Sequence, residues 1–212
     1  MSAWGWTMSV ALLALVIALV VGSLIGILRT VPNKALAMFG EAWTELFRNV
    51  PLLVQLFVWY HVLPALFLPL REVPSFLLVV FGLAFFTSAR IAEQVKAGIQ
   101  TLPKGQRYAG LAMGLTLPQV YRYVIMPVAF RIVIPPLTSE SMNIIKNSSV
   151  AFAVSIAELT FFAQQAAEET SRGVEVYLAV SFLYFISAFA INRIAMVIEH
   201  RVQVPGMVGA GK

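Results

Sequence analysis

Cysteine is absent from the chain, which excludes a disulfide, a thiol nucleophile and a thiolate metal site. Aspartate is absent too, and every acid is a glutamate. Histidine occurs twice, at His61 and His200, far apart and in different segments, so no histidine metal centre is expected. Charge of either sign is scarce. Asp, Glu, Lys and Arg make up 12% of the 212 residues, about half the share in a typical soluble domain. What fills the chain is apolar: 59% of residues are hydrophobic and the mean hydropathy is +0.84. A soluble globule needs a polar skin that this composition does not supply, and a disordered chain needs more charge. These exclusions leave an integral membrane protein.

Crossing a hydrocarbon core of roughly 30 Å takes about 20 apolar helical residues. Met8 to Leu28 is one such run, uncharged, ending in the basic turn Arg29-Thr30-Val31-Pro32-Asn33-Lys34. No Lys or Arg precedes it, so it reads as a retained span and not as a cleaved signal. Residues 35–48 read as a mixed interfacial helix. Further spans are expected at about 51–68, 75–98, 127–147 and 176–198. Residues 149–163 are apolar but short, which suggests a re-entrant piece or a half-helix. Five spans put the two ends on opposite sides. Residues 29–34, the segment 96–123 and the tail carry the basic excess, and they share one face if the N-terminus is outside and the C-terminus cytoplasmic. The net charge of +5 fits cytoplasmic loops better than nucleic acid. No internal repeat or linker appears, so 1–212 reads as a single membrane domain with a flexible tail at about 203–212.

The segment 99–123 is the most structured of the polar stretches. Thr101-Leu102-Pro103 and Thr116-Leu117-Pro118 each suit a helix start, Gly114 suits a helix end, and Thr116 with Gln119 fits a capping box. A short helix over about 104–113 follows, too short to stand alone. It is either an ordinary structured loop or a docking element.

Two features inside the spans need partners. Arg90 lies near the middle of the third span, where an unpaired Arg costs about 2.5–3.5 kcal/mol. Either it pairs with Glu93, three residues on, or it meets an anionic substrate group. In the fourth span Ser139, Glu140, Asn143, Lys146 and Asn147 form one polar stripe beyond Pro135-Pro136, two prolines that free carbonyls and invite a kink. Such a stripe either binds substrate or bonds to a partner subunit. Trp43, Trp59, Tyr121 and Tyr123 read as interfacial anchors. The tail Gly206 to Lys212 satisfies G-x4-G-K but lacks the Ser/Thr, strand and helix of a phosphate-binding loop. No G-x-S-x-G or H-E-x-x-H occurs, and Ser88, Ser148 and Ser155 have no nearby His. No catalytic residue and no metal site are therefore expected.

Gly98 to Gln106, Ala109 to Thr116 and Met126-Pro127 together resemble the EAA loop of permease subunits in ATP-binding-cassette importers, in their polar amino-acid branch. Here the loop reads Tyr108-Ala109-Gly110, then Gly114, then Met126-Pro127, with Tyr108 in place of the opening Glu. Phe47-Arg48-Asn49-Val50-Pro51 through Gln55, Ala92 to Gly98, and Pro135 to Glu140 with Asn143 and Lys146 to Ser149 are similar to further signatures of that branch. The wording of 89–100 and 110–124 is most similar to one permease of glutamate/aspartate importers. The resemblance implies an all-α, type I permease fold with five transmembrane helices and a cytoplasmic coupling helix. It implies a bacterial inner-membrane location and no enzymatic activity. The implied partners are a second permease, homologous but different, two ATPase subunits that hold ATP and Mg, and a periplasmic substrate-binding protein. The chain itself would bind no cofactor. ATPase coupling falls to Gln106, Tyr108, Ala109, Gly110 and Gly114, and the substrate pathway to Arg90, Glu93, Ser139, Glu140, Asn143 and Lys146. An ion-coupled secondary amino-acid transporter and an intramembrane hydrolase are the rival readings.

Overall fold

The computed structural model describes residues 2–202, all helix and connecting turns. The glycine tail and its G-x4-G-K match lie outside the described residues. Helix α1 (Ala3–Leu28) is apolar throughout and starts at Ser2, whose hydroxyl accepts from the Gly5 amide. Its 26 residues span about 39 Å, more than the bilayer core. It packs along α5 (Ser75–Gln100), a helix of equal length. Small residues make this contact close. Ala14, Ala18, Gly22 and Gly26 lie one helical repeat apart on the buried face of α1. A Cβ at Gly22 would sit 2.7 Å from Ile91 Cβ, and one at Gly26 would sit 2.7 Å from Val95 Cβ. Gly22 and Gly26 are thus a G-x-x-x-G contact, in which van der Waals packing replaces the hydrophobic effect that lipid does not supply.

Between α1 and α5 lie α2 (Lys34–Asn49), capped by Asn33, and a short broken span bent 103° away from it. That span is α3 (Leu52–Phe57), a π-helical turn (Val58–Val62) and α4 (Leu63–Leu66). Gln55 holds the corner by donating to the Phe47 and Val50 carbonyls, both at 2.8 Å. These are acceptors that the end of α2 leaves open.

After α6 (Lys104–Ala112) a continuous helical run covers Leu117–Val154. It contains α7 (Leu117–Val120), a π-helical turn (Tyr121–Ile125), α8 (Met126–Asn147) and a 3-10 segment (Ser148–Val154). Each π turn ends two residues before a proline, Pro64 or Pro127. A proline ring clashes with the carbonyl four residues back, and a widened turn makes room for it. Pro135 and Pro136 do not interrupt α8. The break comes later, where Ser155 adopts a left-handed φ of 60°. The half-helix expected at 149–163 is therefore a 3-10 segment, a turn and then α9 (Leu159–Thr170). The last span is α10 (Gly173–Val202).

Among the described residues four helices are long and apolar enough to cross a membrane, and the number reaches five when α2 and the bent piece that follows it are counted as one span. That agrees with the expected count, but the second span, expected at about 51–68, is short and broken and reaches spanning length only together with α2. α1, α5 and α8 form the core, and α10 is mostly exposed in the single chain, with Val180 and Ser187 buried. Gly22→Val should force α1 off α5 and cost about 1–3 kcal/mol, read as a lower unfolding temperature of the solubilised protein. Gly105, where an added Cβ would meet nothing within 4 Å, should accept alanine with a change within about 0.5 kcal/mol.

Candidate functional site

Helix α6 is bounded by the devices expected of it. Pro103 precedes it. At its end the Gly114 amide donates to the Leu111 carbonyl and the Leu115 amide donates to the Gly110 carbonyl, a Schellman closure with Gly114 at φ +83°. Thr116 and Gln119 form the capping box of the next helix. The expected coupling residues divide between two faces. Tyr108 and Ala109 are exposed, as are Leu111, Ala112 and Met113. Gly110 is turned inward, and a Cβ there would lie 2.9 Å from Val120 Cγ2. Its place is under the helix, seating α6 on the start of the long run, and not on the outer face. Gln106 is half-buried, and Gly114 is the exposed closure. Met113, the most exposed large apolar side chain among the described residues, is not signalled by spacing.

The second feature lies at mid-depth. Arg90 reaches across to α8 and grips Glu140 with two parallel bonds, Nε to Oε2 at 2.9 Å and Nη2 to Oε1 at 3.0 Å. Gln94 donates to the same carboxylate at 3.0 Å. Glu140 is buried (4% side-chain exposure), whereas Arg90 remains 44% exposed. The Arg90–Glu93 pair expected from local spacing does not form. Glu93 faces the other way and takes Arg29 at 2.9 Å and Arg48 at 3.3 Å. A step of four residues turns a helix by about 40°, whereas a step of three turns it about 60° the other way, so Gln94 and not Glu93 shares the bearing of Arg90. On α8, Ser139 and Lys146 are exposed and Asn143 is half-buried. Lys146 makes no ion pair among the described residues. The structure thus brings Arg90 and Glu140 together, keeps Ser139, Asn143 and Lys146 on a neighbouring face of α8, and moves Glu93 to another cluster.

That cluster centres on Arg29, whose side chain is 1% exposed. Its guanidinium reaches Glu41, Thr44 and Glu93, and Lys96 also bonds to Glu41. Gly40 lets the chain pass, since a Cβ there would meet Arg29 Cγ at 2.6 Å. Burying a guanidinium requires such pairing. Trp43 and Trp59, expected as interfacial anchors, are half-buried against other rings of the protein. Both pack on Phe85, and Trp43 donates to the Ser88 hydroxyl. Tyr121 is buried, donating to the Thr30 carbonyl at 2.7 Å, whereas Tyr123 is exposed. Glu158, not anticipated from sequence, is fully buried as the cap of α9 and receives the Tyr184 hydroxyl. Among the described residues no cluster could hold a metal ion.

Residues 15–204 match the family described as the binding-protein-dependent transport system inner membrane component. The chain belongs to this family. It is 41% identical over 222 residues to the glutamate/aspartate import permease protein GltJ of Escherichia coli (strain K12), a match covering 97% of this chain and 90% of that protein. It is 34% identical to the probable glutamine ABC transporter permease protein GlnM of Bacillus subtilis (strain 168), covering 93% and 90% of the two chains. Among solved structures, an amino acid ABC transporter described with histidines superposes with a TM-score of 0.81 at 29% identity, covering 94% of this chain and 92% of that one. The inward-facing MetNI methionine ABC transporter superposes with a TM-score of 0.80 at 22% identity, covering 94% of each chain, a likeness of fold.

As a member of the binding-protein-dependent transport family, the chain is a multi-pass membrane permease subunit and not an enzyme. Permeases of this family work with a separate ATPase, so nucleotide chemistry belongs to another chain. Its mid-depth ion pair has a testable energetic signature. Arg90→Ala strands the Glu140 carboxylate in the protein interior and should destabilise the fold by roughly 3 kcal/mol. Arg90→Met with Glu140→Met removes both charges and should recover most of that loss. Thermal unfolding of the solubilised variants checks this, and a double variant no more stable than Arg90→Ala would contradict the pairing argument.

Proposed function

We propose that residues 1–212 form one membrane domain, the permease of an importer for acidic amino acids, glutamate and aspartate, with its N-terminus outside and its C-terminus in the cytoplasm. The observation that carries this reading is the exposed face of α6. A short amphipathic helix displays Tyr108, Ala109, Leu111 and Met113 while Gly110 seats it on the long helical run. That face suits a groove on an ATPase. Two ATPase subunits holding ATP and Mg, a homologous second permease and a periplasmic binding protein complete the assembly. Closure of the ATPases on ATP pushes α6 toward its counterpart. The spans then turn outward-open and the binding protein delivers its ligand. The ligand selects between the two states by differential contacts.

The acidic substrate is supported by the relative at 41% identity and by charge at mid-depth. Arg90 and Glu140 cancel, and Lys146 adds one positive charge on the exposed side of α8. Only two of the five guanidinium N–H groups of Arg90 are spent on Glu140, which leaves donors for a carboxylate. Ser139 and Asn143 supply neutral contacts beside it. Glu93 contributes through the Arg29 cluster and not through the path.

Two experiments test the reading. Ala109→Arg, on the exposed face, should leave the subunit inserted but abolish ATP-driven uptake while the ATPases still turn over. Normal transport by this variant would place docking elsewhere. In an uptake panel of radiolabelled amino acids, Lys146→Gln should lower glutamate and aspartate uptake about tenfold, a loss of about 1.4 kcal/mol, and glutamine far less. An equal loss on all three would remove Lys146 from charge selection.

A further inference from the structure

A cavity of 380 Å³ opens where the end of α1, the end of α5 and the start of α6 meet. Its polar lining includes Arg29, Gln100, Lys104, Gln106 and Arg107, and no carboxylate lines it. Arg29 is already neutralised by Glu41 and Glu93. Lys104 and Arg107 have no carboxylate partner among the described residues, and the Arg107 guanidinium lies over the Tyr108 ring. The side-chain carbonyl position of Gln106 is buried and has no hydrogen-bond partner. The amide can be turned over, which would place its NH2 group there as a donor. The cavity therefore gathers two uncompensated cations and an unused amide, an environment that calls for an anion.

Tyr121 forms a wall of this cavity and also lines a second, apolar hollow of 490 Å³. Ile27, Val31, Met126 and Phe130 line that hollow, with Arg122 beside them. Ile27 belongs to the last turn of a membrane span, Val31 lies in the turn just beyond it, and Phe130 lies about one turn into α8. Polar and apolar hollows thus meet at one residue, at the depth where headgroups give way to acyl chains. A free phosphate would use only the first. An anionic phospholipid would use both, and basic pockets between spans on the cytoplasmic side are suited to such headgroups.

We propose that this chain binds one anionic phospholipid, with its phosphate held by Lys104 and Arg107 and an acyl chain in the groove of Ile27 and Phe130. The inference rests on the membrane placement in the proposed function, not on its substrate. Because Lys104 and Arg107 lie on α6, the lipid would tie the docking helix to the bilayer surface and to the end of α1.

The test uses the full chain, extracted with its accompanying subunits and returned to phosphatidylcholine vesicles. Association of spin-labelled phosphatidylglycerol is compared with that of spin-labelled phosphatidylcholine, a readout independent of transport. Phosphatidylglycerol should be preferred. Lys104→Gln with Arg107→Gln should weaken that preference about fivefold per charge removed. Lys104→Arg with Arg107→Lys should retain it and guard against a folding defect. Lys34→Gln, an exposed cation on the same side, should leave it intact. An undiminished preference in the neutral double variant would overturn the proposal. So would loss of preference in the charge-keeping double variant, or displacement of the labelled lipid by inorganic phosphate, which would reassign the cavity to a free anion.

Discussion

A lipid bilayer offers no hydrogen bonds, so a charge buried among spanning helices must find its partner within the protein. That constraint fixes the arrangement of this chain. Arg29 is neutralised from α2 and α5, and Glu140 is neutralised from α5. The buried Glu158 is satisfied by backbone amides of α9 and by Tyr184 of α10. Apolar packing alone would let these helices slide, because lipid is as apolar as their side chains. The polar contacts fix depth and rotation, and the glycines of α1 let the backbones come close enough for those contacts to form.

The same contacts describe a path for force. Gly110 of α6 lies against Val120, the last residue of α7 before the π turn. Val120 and Glu140 belong to one unbroken helical run, 20 residues and so about 30 Å apart. Tyr121 also ties that run to Thr30, just beyond α1. A displacement of α6 therefore has a packed route to the mid-depth ion pair. Glu140 is held from α5, so motion of the run relative to α5 strains the Arg90 grip. This is a contact route with two packed ends, the kind of element on which a two-state gate can be built. π turns at Val58–Val62 and Tyr121–Ile125 interrupt the regular helix on either side of the core, where bending costs least.

Much of this is legible in the residues. The spans follow from hydropathy, and the bounds of α6 follow from Pro103, Gly114 and the Thr116–Gln119 box, because those signals are local. What is not legible is pairing at long range. Arg90 and Glu140 lie 50 residues apart in sequence, and nothing in their spacing announces the contact. Glu93 is the nearest acid in sequence, but helical pitch turns it toward Arg29. Trp43 and Trp59 sit at the positions of interfacial anchors, yet Phe85 draws both inward. Gly110 belongs to the recognisable loop motif, and only the packing on Val120 separates its seating role from the outward role of Ala109. The G-x-x-x-G step of Gly22 and Gly26 is present in the sequence and needs only a test for small residues at helical spacing.

The central claim is that this chain is a gate without a motor, moved from outside through α6. The most direct measurement is uphill accumulation of glutamate in sealed vesicles made with and without the ATPase subunits, under an imposed proton or sodium gradient and under ATP. The account predicts accumulation only when the ATPases and ATP are present, with no response to either ion gradient. Accumulation driven by an ion gradient in vesicles that contain no ATPase would contradict it.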